Sequence, residues 1–124
     1  MQHQGRWGRR LLTIIQYVGE NEYLLMSERA EKHLPQPGSL QWHAKLESLP
    51  SFHFSGKNGH FTARKEKRHR DGDYWYAYRK HQGKQYRQYI GTATMLTPAR
   101  LEQVAATLQT RMAQPRTALE NRNA

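Results

Sequence analysis

Basic and aromatic side chains alternate in the middle third of the chain. The segment YWYAYRKHQGKQYRQYIG, residues 74–91, contains six aromatic and four basic residues. Residues 57–89 hold ten Lys and Arg against three acids and so account for most of the formal net charge of +10. Cationic side chains bind phosphate, arginine also pairs with guanine edges, and aromatic rings pack on sugars and bases. The pattern therefore predicts a nucleic-acid interface.

Ten residues in this region are candidate nucleic-acid contacts, half from residues 61–70 and half from residues 74–91. They are Arg64, Lys65, Lys67, Arg68, Arg70, Trp75, Arg79, Lys84, Arg87 and Tyr89. Cross-strand aromatic pairs and solvent-facing lysines also occur in sheets that bind nothing. Five bases beside a basic hairpin are more than solubility requires, and duplex DNA is the expected ligand.

Three other ligands or activities stay open at this point. Aromatic rings on a sheet also stack on unpaired bases, so RNA or single-stranded nucleic acid is one alternative. A protein-interaction module that recruits an acidic partner within a larger complex is the second. A small magnesium-dependent nuclease using His69, Asp71 and Asp73 is the third, but the segment HRDGD is more typical of a turn.

The remaining composition argues against several classes of protein. The mean hydropathy is −1.01 and cysteine is absent, so we expect a thin core without disulfides or thiolate zinc sites. His53, His60, His69 and His81 are spaced too widely for a compact metal-ligand motif. No apolar run approaches the roughly 20 residues of a membrane span, and the N-terminus does not resemble a signal peptide. We expect a cytoplasmic protein that is not an enzyme and has no cofactor and no membrane association.

Short periodic segments indicate the elements that carry these residues. Turn residues GENE between LLTIIQYV and EYLLMS predict a hairpin, with a helix over residues 23–33 as the alternative. Ser39 is a candidate cap for a short helix, and Thr97 with Pro98 for a final helix. Strands are predicted at SFHFS, at HFTARKEKRHR and on both sides of Gln82-Gly83. The final helix carries an apolar stripe at Leu101, Val104, Ala105, Leu108 and Met112.

These elements predict an α+β fold: an N-terminal hairpin and short helix, then an antiparallel sheet whose three-stranded basic face is braced by a C-terminal helix. One domain is expected over residues 1–113. It comprises a hairpin and connector at 1–38 and a sheet–helix module at 39–113, followed by a flexible tail at 114–124.

The register of the 74–91 hairpin decides which side chains face outward. A two-residue turn at Gln82-Gly83 places Trp75 beside Ile90 and Tyr78 beside Arg87, whereas a three-residue loop shifts the pairing by one. We predict the three-residue loop. It puts Tyr76, Tyr78, Tyr86 and Ile90 in the core, and it gathers Trp75, Arg79, Arg87 and Tyr89 on the outer face around Ala77.

The order FTARKEKR, YWYAYR, a Gly turn with Lys84, QYIG and LTPARLEQVAATL resembles a bacterial module with the pattern FTxRKExRxRG, YWYAYRR, KRYLG. WHAKLESLPSFHFSGKNG is similar to the tryptophan helix and SFxFxGKxG turn that precede them in that module. The module occurs at the N-terminus of LuxR-type and other multidomain ATPase regulators and as small free-standing chains. The similarity covers roughly residues 40–110, and Gln88 and Thr92 replace its usual Arg and Lys.

The three-strand-plus-helix order also resembles the arm-type DNA-binding domains of tyrosine recombinases and the plant ethylene-response-factor domain, which lay such a sheet in the major groove. The resemblance implies groove contacts by Arg64, Trp75, Arg79 and Arg87. It implies phosphate contacts by Lys65, Lys67, Arg68 and Lys84, and an accessory role in transcription control or mobile-element maintenance.

Overall fold

The structure, a computed structural model, describes residues 13–26, 31–33, 39–67 and 72–114. Within these ranges the chain forms one sheet with two α-helices, and the predicted α+β fold is confirmed. The strands are β1 (Ile14–Gly19), β2 (Glu22–Met26), β3 (Glu31–His33), β4 (Ser51–Ser55), β5 (His60–Lys67), β6 (Asp73–His81) and β7 (Lys84–Gly91). The helices are α1 (Leu40–Glu47) and α2 (Pro98–Ala113), and a 3₁₀ turn spans Ala93–Met95.

The seven described strands lie in the order β3-β2-β1-β4-β5-β6-β7. Every neighbouring pair is antiparallel except β1 and β4, which run parallel with Ile15 opposite Phe54. A parallel pair needs a crossover, and the segment that contains α1 supplies it. The N-terminal hairpin therefore extends the same sheet, a connection that was not predicted from the sequence.

The hairpin predicted around GENE is confirmed. β1 and β2 pair antiparallel, and the turn residues Glu20 and Asn21 have φ of 47° and 61°. The alternative helix over residues 23–33 is wrong, because β2 continues to Met26 and β3 pairs with it.

Both predicted helix caps are present. The Ser39 hydroxyl accepts from the Trp42 amide at 3.2 Å, and the Thr97 hydroxyl accepts from the Arg100 amide at 3.1 Å. Each cap satisfies an amide that has no partner within its helix. Pro98 occupies the first turn of α2, where its missing N–H costs nothing.

The core lies between the two helices and one face of the sheet. Its largest fully buried side chains are Trp42, Trp75 and three phenylalanines from β4 and β5. All five residues of the predicted α2 stripe are buried there. The Trp42 indole nitrogen donates to the Leu96 carbonyl at 2.6 Å, so this large ring enters the core with its polar atom satisfied.

Glu102 joins α2 to the turn between β4 and β5. Its carboxylate accepts from the amides of Lys57 and Asn58 at 2.8 and 2.9 Å, and from the Tyr23 hydroxyl at 2.9 Å. Burial and the bond to this carboxylate raise the pKa of Tyr23. The single carboxylate therefore holds together α2, β2 and the GKNG turn.

Neither described helix is long and apolar enough to cross a membrane.

Candidate nucleic-acid interface

A two-residue turn sets the register of β6 and β7. His81 lies opposite Lys84, Tyr78 lies opposite Arg87, and Gln82 and Gly83 have φ of 50° and 79°. Two consecutive positive φ values define a type I′ turn, whose twist matches that of the strands it joins. The predicted three-residue loop is wrong.

A bulge near the other end of the hairpin modifies this register. Tyr76 pairs with Tyr89, but Trp75 pairs with Gly91, so Ile90 is the extra residue. Gly91 has φ of 137°, and a Cβ there would lie 2.6 Å from the Met95 side chain. Glycine is thus required where β7 bends into the 3₁₀ turn.

The two faces of the sheet are unlike. We call the side that packs against α1 and α2 the closed face, and the opposite side, on which no described helix packs, the open face. On β6 the closed face receives Trp75, Ala77 and Arg79, and the open face receives Tyr74, Tyr76, Tyr78 and Lys80. On β7 the closed face receives Tyr86, Gln88 and Ile90, and the open face receives Gln85, Arg87 and Tyr89.

The predicted assignment of faces is correct for β7 and wrong for β6. Tyr86 and Ile90 are core, and Arg87 and Tyr89 face outward. The one-residue change of register exchanges the two faces of β6 relative to β7, because the side-chain period of a strand is two.

Three predicted contact residues therefore point to the helices. Trp75 is fully buried against Phe52, with ring centroids 5.4 Å apart. The Lys65 ammonium donates to the Glu47 carbonyl at 2.7 Å, and the Arg79 guanidinium donates to the Gln109 side chain at 3.0 Å. The predicted outer position is wrong for Trp75 and Arg79, and Lys65 contacts the end of α1.

The remaining lysines lie at the ends of strands. Lys67 is exposed at the end of β5, and Lys84 is exposed beside the turn with its ammonium 5.0 Å from the Tyr86 ring. Arg68 and Arg70 lie outside the described residues, as do His69 and Asp71.

Arg87 is held in a network on the open face. Its guanidinium donates to the Tyr78 hydroxyl and to the Glu66 carboxylate, both at 3.0 Å, and lies 3.7 Å from the centre of the Tyr76 ring. The Tyr78 hydroxyl donates to the same carboxylate. The Tyr78 and Arg87 bonds lower the pKa of Glu66, and the bonds to Tyr78 and Glu66 raise that of Arg87. Both groups are thus charged at neutral pH, and Arg87 is oriented before any ligand arrives.

Arg64, predicted as a contact, is exposed on the same face with its guanidinium 5.4 Å from the Tyr78 ring. Lys80, which was not among the predicted contacts, is exposed beside it. Alternation from Tyr76 and Tyr78, combined with a two-residue turn at Gln82-Gly83, would have placed Lys80 on the outer face.

Two histidines extend the open face onto β4 and β5. The His53 and His60 rings lie 5.5 Å apart, and His53 contacts the Thr62 hydroxyl at 3.3 Å. Burial lowers the pKa of both, and the positive charge of Arg79 lowers it further. Across the described ranges no three His, Cys, Asp or Glu residues lie close enough to hold a metal ion.

The arginines of α2 bind the sheet edge. Arg100 donates to the carbonyls of Tyr89 and Ile90 at 3.0 Å each, and Arg111 donates to that of Arg87 at 2.8 Å. β7 is the last of the described strands in the sheet, so no described strand pairs with these carbonyls. These two bases therefore attach α2 to the edge of β7.

Comparisons of the chain with protein-family models, with curated proteins and with solved structures gave no match.

Proposed function

We propose that this protein binds duplex DNA through the open face of β5, β6 and β7, and that it acts in the cytoplasm as an accessory or regulatory factor. The observation that carries the proposal is the side-chain content of that face. Arg64, Lys80 and Arg87 lie there against one described acid, Glu66, which is already paired with Arg87.

The dimensions of the face suit the major groove. Neighbouring strands are about 4.8 Å apart, so three strands measure about 10 Å across, against a groove width of about 12 Å. Arg87 keeps N–H groups beyond those bound to Glu66 and Tyr78. A guanidinium fixed in one plane is suited to bidentate contact with a guanine edge, whereas Arg64 and Lys80 suit phosphates.

The limited exposure of the tyrosine rings favours binding of duplex over single strands. Tyr76 is only 9% exposed because Arg87 and Tyr89 cover it, and Tyr78 lies between two arginines. Stacking on unpaired bases requires accessible ring faces. On this part of the sheet Tyr89, at 41% exposure, is the most accessible described ring.

The test is a fluorescence anisotropy titration of the full chain on labelled duplex at several salt concentrations. Three phosphate contacts predict a slope of log K against log salt near −3, at about −0.9 per contact. A slope of about −1 or shallower would contradict the proposal. Competition with unlabelled single strands tests the alternative of a single-strand binder. That alternative would be favoured if single strands displaced the labelled duplex more effectively than unlabelled duplex does.

A matched pair of variants tests whether the open face or the closed face binds the duplex. Arg64→Gln and Lys65→Gln each remove one positive charge, from opposite sides of the sheet. We expect Arg64→Gln to weaken duplex binding about tenfold and to make the slope shallower by about one, with little effect from Lys65→Gln. Equal losses from the two variants would mean that net charge, and not the open face, drives binding.

A further inference from the structure

A pocket of about 250 Å³ lies on the open face beside the Arg87 network. It is lined by Thr62, Arg64, Tyr78, Arg79, Lys80 and Gln85. Arg79 lines it although its guanidinium is bound to Gln109 on the closed face. The lining thus contains two open-face cations and no carboxylate.

Neither open-face cation forms an ion pair within the described part of the chain, although the charge of Arg64 helps to lower the pKa of Glu66. Neither Arg64 nor Lys80 lies within 4 Å of a described carboxylate, since the one ion pair there joins Arg87 to Glu66. A cation without a carboxylate partner, placed in a concave site, creates a positive potential that attracts anions. The positive charge of its lining therefore makes the pocket suited to an anion.

The lining residues come from three adjacent strands. Thr62 pairs with Tyr78, and Lys80 pairs with Gln85, so these four positions are fixed by the ladder of the sheet. The Tyr78 ring in turn supports the Arg64 guanidinium at 5.4 Å. A site built on strands keeps its geometry better than one built on loops.

We infer that this pocket binds a phosphate group, and that in the complex the group is a phosphodiester of the nucleic-acid backbone. That the phosphate group belongs to a nucleic acid rests on the proposed function. That the pocket binds phosphate does not. A guanidinium, an ammonium, a hydroxyl and an amide provide donors from several directions, which suits the oxygens of a tetrahedral anion. A planar carboxylate would use fewer of them.

The first experiment uses inorganic phosphate alone. The full chain, labelled with nitrogen-15, is titrated at constant ionic strength, with acetate as the parallel arm. We expect saturable shifts at Thr62, Arg64, Lys80 and Gln85 with phosphate and much smaller ones with acetate. Lys80→Gln should weaken phosphate binding about fivefold or more, because it removes one direct charge.

Lys45→Gln is the matched control. Lys45 is exposed on α1, away from the open face, and the change in charge is identical. Equal weakening of phosphate binding by Lys45→Gln and Lys80→Gln would overturn the pocket assignment. Shifts spread over all exposed cations without saturation, or equal shifts with acetate, would overturn it as well.

The second experiment repeats the duplex titration with the same two variants. Lys80→Gln should weaken duplex binding about tenfold and reduce the salt slope by about one, and Lys45→Gln should not. If phosphate occupies the pocket but Lys80→Gln binds duplex as the wild type does, the assignment to a backbone phosphodiester is overturned. If phosphate occupies the pocket but the wild type does not bind duplex, the proposed function fails while the phosphate site stands.

Discussion

The closed and open faces of β5, β6 and β7 carry the same kinds of side chain and use them differently. On the closed face, Lys65 donates to the Glu47 backbone carbonyl and Arg79 donates to the side-chain oxygen of Gln109. On the open face, Arg64 and Lys80 form no ion pair with a described acid. Adjacent residues in the sequence, such as Arg64 with Lys65 and Arg79 with Lys80, thus have opposite roles. Basic residues that are adjacent on a strand therefore fall into two groups, according to the face of the sheet on which they lie.

The aromatic residues divide in the same way. Trp75 is fully buried in the core, whereas its neighbours Tyr74 and Tyr76 contact Tyr89 on the open face. The tyrosines of the open face act as supports for arginine: Arg87 lies on Tyr76 and Arg64 lies near Tyr78. Their hydroxyl and ring surfaces orient cations, which is a different use from filling a core.

The largest expected effect would come from the closed face. Leu108→Ala removes a fully buried side chain of α2, and the resulting cavity should lower the free energy of unfolding by roughly 2–5 kcal/mol. Urea denaturation measures it. The open-face control Lys80→Ala should change stability by less than about 0.5 kcal/mol. Loss of duplex binding by Leu108→Ala with unchanged stability would mean that α2 contacts the ligand directly.

Glu102→Ala should have the next largest effect. It leaves the amides of Lys57 and Asn58 and the Tyr23 hydroxyl without their acceptor, at an expected loss of roughly 1–3 kcal/mol in the free energy of unfolding. Glu47→Ala, on the exposed end of α1, is the matched control and should be near neutral. Equal stability of the two variants would show that the GKNG turn does not need this carboxylate.

Glu66→Gln tests the open face with little effect on the fold. The ion pair to Arg87 is largely exposed, so its removal should cost less than about 1 kcal/mol of stability. Because a negative charge leaves the face, binding to random duplex should tighten by roughly threefold. Discrimination between a preferred site and random duplex should fall, since Arg87 is no longer held. Unchanged binding to random duplex would place Glu66 outside the interface.

The smallest expected effect is a pH dependence from His53 and His60. Burial lowers the pKa of both below the unfolded value of about 6.5. Below that pH the unfolded chain binds protons that the folded protein resists, so stability should fall as pH drops from 7.5 to 5.5. Thermal melting at these pH values measures this. The double variant His53→Gln/His60→Gln should lose less stability than wild type, and an identical loss would exclude the pair as the cause.

Local patterns were sufficient for most of the elements. Ser39 and Thr97 were identified as caps because each hydroxyl directly precedes a helical apolar pattern. In that position it can accept a hydrogen bond from a free amide at the helix N-terminus. The stripe from Leu101 to Met112 identified the buried side of α2 because a period of 3.6 places those residues together. The basic region and the outward-facing Arg87 and Tyr89 were likewise predicted from residue type and alternation, whereas the groove contact by Arg64 was implied by the family resemblance.

Tertiary structure decided the rest. The register of β6 against β7 depends on whether Gln82 adopts a positive φ, a small local preference that the sequence does not settle. That choice moved Trp75 and Arg79 to the closed face and Tyr76, Tyr78 and Lys80 to the open one. Likewise, the parallel pairing of β1 with β4 joins residues far apart in the chain. Long-range pairing of this kind is selected by burial of the whole face, and no local pattern contains it.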